Sequence, residues 1–226
     1  MKPHLIGVSG KIGSGKDYFA EKVTGILKKR GYIVSSNSFA KPLKEEATDL
    51  FRSFKEAEKD IQQSLVTIAT DFDIPQEQLE HLYSLVNEEL DSDPNLTGYN
   101  RSEGVRLFLQ YLGTDVRRNQ QQNYWVNKFY NSLDKKSDFI FVTDTRFPNE
   151  ADFVLEQDGT VVRIEVPEEI IEEQVRKRDG LRYSDKALSH SSETALDDYE
   201  FFSIVIGRDF NAEDLADFVI MAKNND

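Results

Sequence analysis

Apolar positions along the chain follow two different rhythms. Near the beginning and again beyond residue 138 they form short unbroken runs: Leu5-Ile6-Gly7-Val8, Tyr32-Ile33-Val34, Phe139-Ile140-Phe141-Val142, Val161-Val162 with Ile164 and Val166, and Phe202 with Ile204-Val205-Ile206. Runs of this length predict buried strands, near 3–9, 32–36, 139–144, 160–166 and 202–206. Helical periodicity separates them. Phe19, Ala20, Val23, Ile26 and Leu27 share one helix face that Gly31 ends, a helix starts near 168 after Pro167, and another closes the chain over 212–223. Strands alternating with helices predict an α/β fold with a doubly wound parallel sheet, ligands binding at the carboxyl ends of its strands.

The middle of the chain, about 43–133, keeps helical time throughout. Ile61, Leu65, Ile68 and Phe72 form one stripe, and Leu79, Leu82, Tyr83, Val86 and Leu90 another, before a loop at 91–98. In 103–112 the stripe Val105, Phe108, Leu109, Leu112 leaves Arg106 and Gln110 together on a different face. In 123–133 the stripe Val126, Phe129, Tyr130, Leu133 leaves Trp125 off it. A polar pair and a lone aromatic turned from the core would suit a planar ligand; a solvated Arg–Gln face and a Trp packed on a neighbouring helix are the structural alternative. The expected organisation is one core, 1–42 with 134–226, interrupted by an all-helical insertion at 43–133.

Composition narrows the partners. The 226 residues carry a net charge of −13 with a pI near 4.8 and no cysteine. An acidic chain argues against polymeric nucleic acid and anionic membrane as general partners, and the absence of cysteine excludes disulfides, thiolate metal sites and cysteine nucleophiles. Met1 to Leu5 leads straight into the first strand and no apolar stretch approaches a membrane span, so a soluble cytoplasmic protein is expected.

A polyanionic ligand therefore needs a local cradle, and Gly10-Lys11-Ile12-Gly13-Ser14-Gly15-Lys16-Asp17 supplies one between the first strand and the first helix. Gly10-x4-Gly15-Lys16 lets successive backbone N–H groups curl round a phosphate at a helix N-terminus, with Lys16 reaching the β- and γ-phosphates. The last position of such loops is usually Ser or Thr, a Mg²⁺ ligand; here it is Asp17, which could bind the metal or cap the helix. Asp144, at the end of the 139–144 strand, occupies the place where a carboxylate holds Mg²⁺, or else caps the next helix. Arg146 follows two residues on. Arg176, Lys177, Arg178 and Arg182 form the densest positive cluster of the chain, either a solvated helix end or mobile cations that close over phosphates. His190, in the polar stretch 184–198, is read as a loop or capping histidine.

These patches together resemble the phage-type deoxynucleoside monophosphate kinases, P-loop kinases related to phosphomevalonate kinase. The resemblance is carried by Ser9-Gly10 to Gly15-Lys16-Asp17, where Asp after the lysine is itself a mark of the family; by Pro42-Leu43-Lys44; by Arg106-Leu107 with Gln110 to Asp115 and Trp125-Val126; and by Asp144-Thr145-Arg146. It implies a P-loop kinase with a five-stranded parallel sheet flanked by helices, an all-helical acceptor-binding insertion and a short basic lid at about 174–190. ATP and Mg²⁺ are the implied cofactors, bound by Gly10, Lys11, Gly13, Ser14, Gly15, Lys16, Asp17, Gly207 and Arg208, with Asp17 and Asp144 on the metal. Lys16, Arg146, Arg176, Arg178 and Arg182 become the expected catalytic cations. A nucleoside monophosphate acceptor is implied at Lys41, Arg106, Gln110, Thr114, Asp115, Trp125 and Asp144, Arg106 taking its phosphate and Trp125 its base. A phosphomevalonate-type kinase and a slow nucleotide-dependent regulatory NTPase remain the alternative activities, and self-association into a homodimer is left open.

Overall fold

The computed structural model describes residues 2–57, 61–88, 102–179 and 191–224. The chain divides into two compact units, Met1–Phe39 with Ser132–Asp226 and Ala40–Asn131.

The first unit is built on a five-stranded, all-parallel sheet: β1 (His4–Ser9), β2 (Val34–Asn37), β3 (Phe139–Val142), β4 (Thr160–Ile164) and β5 (Ile204–Ile206), in the order β2-β3-β1-β4-β5. Every residue of β1, β3 and β4 is buried, which is why these three strands read as unbroken runs: helices cover both faces of a parallel sheet. The edge strands β2 and β5 are only partly covered. Register is set by Leu5 opposite Ile140 on one side of β1 and Val8 opposite Val162 on the other.

Helix α1 (Lys16–Lys29) buries Phe19, Ala20, Val23 and Leu27, the stripe the sequence predicts. On that face Ile6, Val8, Phe141 and Val162 of the sheet meet Leu215, Ala216 and Val219 of the final helix, here α10 (Ala212–Asn224). Arg30, just past α1, ties the two helices by pairing with Glu213 at 2.6 Å and with Asp217. Helix α7 (Pro148–Glu156) begins at a proline, whose missing N–H costs nothing there, and its Val154 packs so near Gly7 of β1 that a Cβ on Gly7 would lie 3.2 Å from it. Helix α8 (Glu168–Asp179) follows Pro167, and one turn, α9 (Ser191–Thr194), stands inside the stretch read from sequence as loop. Segment 180–190, the larger part of the expected lid, lies outside the described residues.

The second unit contains no strand among its described residues. It comprises α2 (Ala40–Glu56), α3 (Ile61–Phe72), α4 (Gln76–Ser84), α5 (Glu103–Gln110), a π-helix (Tyr111–Arg118) and α6 (Tyr124–Asn131). Their apolar stripes meet in one core: Leu50, Phe51, Phe54, Leu65, Leu79, Leu82, Phe108, Leu112 and Val116. Phe51 and Phe108 pack edge to face at 5.0 Å, the arrangement ring quadrupoles favour. The π-helix is absent from the sequence expectation, since its eight residues of i→i+5 bonding are too few to change an apolar period.

A buried ion pair crosses this unit. Glu46 of α2 accepts from Arg117 Nε at 2.5 Å, from the Tyr124 hydroxyl at 2.8 Å and from Lys128 Nζ at 3.0 Å. Arg117 in turn donates to the carbonyls of Phe72 and Asp73 at 2.5 and 3.0 Å. It thereby satisfies acceptors that the end of α3 would leave bare, Asp73 turning out of the helix at φ 51°.

Candidate active site

Leaving β1 the chain crosses to one edge of the sheet, and leaving β4 it goes to the other, so a crevice opens at the carboxyl ends of these two strands. The glycine loop lies there. Gly13 and Gly15 take φ 77° and 94°, in the left-handed region where a side chain is disfavoured. Gly15 is also the residue before α1, so the loop hands its curled backbone directly to a helix N-terminus. Ser14 donates its backbone N–H to the Lys11 carbonyl at 3.1 Å. Its buried hydroxyl has no partner among the described residues, which fits a loop built round a ligand with acceptor oxygens. Gly10 permits the close packing: a Cβ there would sit 2.5 Å from Ser14 Oγ and 2.9 Å from the Ile164 carbonyl. Gly10→Ala is thus expected to cost about 1–3 kcal/mol of overpacking and to abolish nucleotide binding, read by a thermal melt and by equilibrium titration with a fluorescent ATP analogue. Unchanged affinity would contradict the cradle.

Lys16 Nζ donates to the carbonyls of Gly10 at 2.6 Å and Lys11 at 2.9 Å. Burial, and after it the neighbouring Arg146 guanidinium, pushes the ammonium down to about 8, against Glu193 and Asp17, which pull it up. Arg146 pairs with Glu193. Burial works against the arginine's charge, but Glu193 first, then Asp144 and Glu150, outweigh it and hold the guanidinium charged above its ordinary range. Glu150 also fixes the turn that carries Arg146, accepting the backbone N–H of Arg146 at 2.8 Å and of Phe147 at 3.2 Å. A cavity of about 510 Å³ is lined by Ile12, Gly13 and Gly15 of the loop, by Lys16, Asp17 and Tyr18 at the start of α1, by Arg146, and by Gln174 and Lys177 of α8. Three cations, Lys16, Arg146 and Lys177, and a helix N-terminus thus face one space, and an anion of several charges is what such a space attracts.

The remaining expected residues are distributed as follows. Asp17 is exposed in the first turn of α1 and lines that cavity. The carboxylate of Asp144 is engaged at the start of the helical crossing, accepting Ser38 Oγ–H at 2.7 Å and the Phe39 N–H at 2.9 Å. Gly207 and Arg208 lie exposed after β5 and line a second depression of about 400 Å³ with Phe210 and Leu215. Lys11 is half-buried and pairs with Asp197 at 3.4 Å. Arg176 and Arg178 fall on α8, but their side chains, like Arg182 and His190 entirely, lie outside the described residues.

In the helical unit Arg106 and Gln110 are half-buried one turn apart on α5, and Thr114, half-buried, and Asp115, exposed, belong to the π-helix. Lys41 is exposed beside Glu45 at 4.0 Å. Trp125 is a correction. It is 3% exposed, and its indole N–H donates to the Gly113 carbonyl at 2.9 Å, so the ring is a packed structural group and not a free stacking surface. The buried stripe of α6 is Trp125, Val126 and Phe129, while Tyr130 is 52% exposed; the face is turned by about one residue from the expected one. Sequence reasoning also missed Glu193 and Asp197, which meet the loop from far along the chain and give no local signal.

The sequence profile of the deoxynucleotide monophosphate kinase family matches residues 41–200. A protein of Acanthamoeba polyphaga mimivirus assigned as a deoxynucleotide monophosphate kinase is 26% identical over 234 aligned positions, spanning 98% of this chain and 96% of its own length. Among solved structures, a gluconokinase from Sinorhizobium meliloti 1021 overlays with a TM-score of 0.42 at 13% identity, covering 99% of this chain and 93% of that one. Shikimate kinase from Aquifex aeolicus vf5 gives 0.41 at 12%, covering 98% and 96%. With a phosphate loop at the head of its parallel sheet and the family profile extending over most of its length, this chain belongs to the deoxynucleotide monophosphate kinase family.

Proposed function

We infer that the chain transfers the γ-phosphoryl group of ATP to a deoxynucleoside monophosphate, yielding the diphosphate. The observation that carries this is the convergence of Lys16, Arg146 and the glycine loop on one cavity in a chain of this family. The acceptor's phosphate oxygen is already anionic, so no general base is needed, and the protein's task reduces to alignment and charge neutralisation. The loop N–H groups, Lys11, Lys16 and the unpartnered Ser14 hydroxyl hold the donor phosphates. Gly207 and Arg208 border the place for the adenine. Arg146 neutralises the transferring group, with Arg176, Arg178 and Arg182 as the lid cations. Arg106 binds the acceptor's phosphate, with Gln110, Thr114, Asp115 and Lys41 around it.

Mg²⁺ typically takes one or two carboxylates besides substrate phosphates, and the exposed Asp17 lining the cavity fits that pattern; Asp17 and Asp144 would hold the ion, which would supply positive charge to neutralise the phosphates. A panel of the deoxy- and ribonucleoside monophosphates, with phosphomevalonate beside them, read as acceptor-dependent ADP formation, tests the assignment. Turnover with phosphomevalonate alone, or stoichiometric nucleotide binding without any acceptor-dependent turnover, would overturn it.

The lowered Lys16 also sets a pH dependence. In the free protein the ammonium is half deprotonated near pH 8, and a bound polyphosphate raises its affinity for that proton. Nucleotide affinity is therefore full below about pH 8 and falls as pH rises towards the value in the complex. Calorimetric titrations at pH 8.5 in buffers of different ionisation heat should detect proton uptake on binding. Equal affinity at pH 7 and pH 9 with no uptake would remove this role from Lys16.

A further inference from the structure

Arg146 and Lys11 are held by a segment whose carboxylates the proposed reaction leaves unused. Glu193 stands on α9, and its side chain is only 8% exposed, so both of its oxygens must be satisfied inside the protein. Oε2 accepts the Ile12 N–H, at the apex of the phosphate loop, at 2.8 Å. Oε1 pairs with Arg146 Nη1. One carboxylate thus spans the loop and the arginine, which are far apart in sequence. Four residues on, Asp197 fastens the same segment to the base of the loop, pairing with Lys11 at 3.4 Å and with Arg163 at 3.0 Å, and Arg163 donates to Ser9 Oγ at 3.0 Å.

Carboxylates beside a polyphosphate site repel the ligand. Their presence does not serve affinity; it fixes where the loop apex and the guanidinium stand. We propose that Glu193 is a positioning residue for phosphoryl transfer, holding the Arg146 guanidinium in register with the phosphate loop. It touches neither substrate, and it acts through Arg146. The proposal rests on the kinase reading of the site.

The test is a double-mutant cycle on the full chain, Glu193→Ala and Arg146→Ala singly and together, with Glu193→Gln as an isosteric second variant and thermal melts on all. In acceptor-saturated assays with ATP, Glu193→Ala and Glu193→Gln should lower kcat at least tenfold without raising the KM for ATP. In the Arg146→Ala background the same changes should cost less than twofold. Equal losses in both backgrounds would overturn the proposal, as would an unchanged kcat accompanied by tighter ATP binding, which would make Glu193 a competing anion. Rapid turnover by Arg146→Ala would also overturn it, leaving nothing to position. Absence of turnover in the unaltered chain would instead overturn the kinase reading on which it rests.

Discussion

Replacing Lys16 with Ala is expected to reduce phosphoryl transfer by at least about 10²–10³-fold, the usual loss when a preorganised donor to developing charge is removed, while the melting temperature stays the same or rises. The reason lies in how the ammonium is held. Its bonds to the Gly10 and Lys11 carbonyls keep a cation enclosed beside Arg146, and that enclosure has already moved it down to about 8. In the folded protein without nucleotide the charge is a cost, so alanine relieves it. On the proposed reading the same charge then meets the donor phosphates, while Lys11, the other cation of the loop, is paired with Asp197. Steady-state rates, isothermal titration and a thermal melt on one preparation separate the two effects. A variant with near-normal turnover would remove the loop from the chemistry.

Glu46→Ala is expected to destabilise the helical unit by about 3–5 kcal/mol, the range for breaking a buried ion pair by removing one partner. Arg117, at 4% exposed, would be left buried without its counter-ion. The Tyr124 hydroxyl and Lys128 would lose their acceptor. Arg117 would also lose the contact that aims it at the end of α3, where it serves the Phe72 and Asp73 carbonyls. Glu46→Gln keeps shape and one acceptor and should fall between. Denaturant unfolding followed by circular dichroism measures the difference, and a loss below about 1 kcal/mol, the range of an exposed pair, would mean the network is not the fastening it looks to be.

What could be read from the chain alone depended on how far apart the partners stand. β1, β3 and β4 were legible because each is a central strand buried on both faces, whose composition needs no tertiary context. The phosphate loop was legible because its glycines and the lysine that follows them are contiguous in sequence. The face of α6 was not: Trp125 and Tyr130 lie on either side of a boundary that periodicity locates only to within a residue, and the indole's bond to Gly113 decides it. Gly113 itself sits in a π-helix, whose widened turn no apolar period announces. Glu193 was the least legible of all, a carboxylate in a polar stretch whose importance comes from Ile12 and Arg146, residues the fold alone brings to it.

The hydrogen bond from Asn37 Nδ2 to Ser132 Oγ, 3.2 Å long, joins the two points where the chain leaves and re-enters the sheet-bearing unit. Entry and exit of the whole helical unit, Ala40–Asn131, therefore start as neighbours. In engineering terms the unit is a cassette: a short linker from Phe39 to Ser132 would restore an uninterrupted β2-to-β3 connection, and a different helical insert could be carried on the same two ends. On the proposed reading, in which Arg106 and its neighbours take the acceptor, acceptor choice would then be exchangeable as one block of sequence.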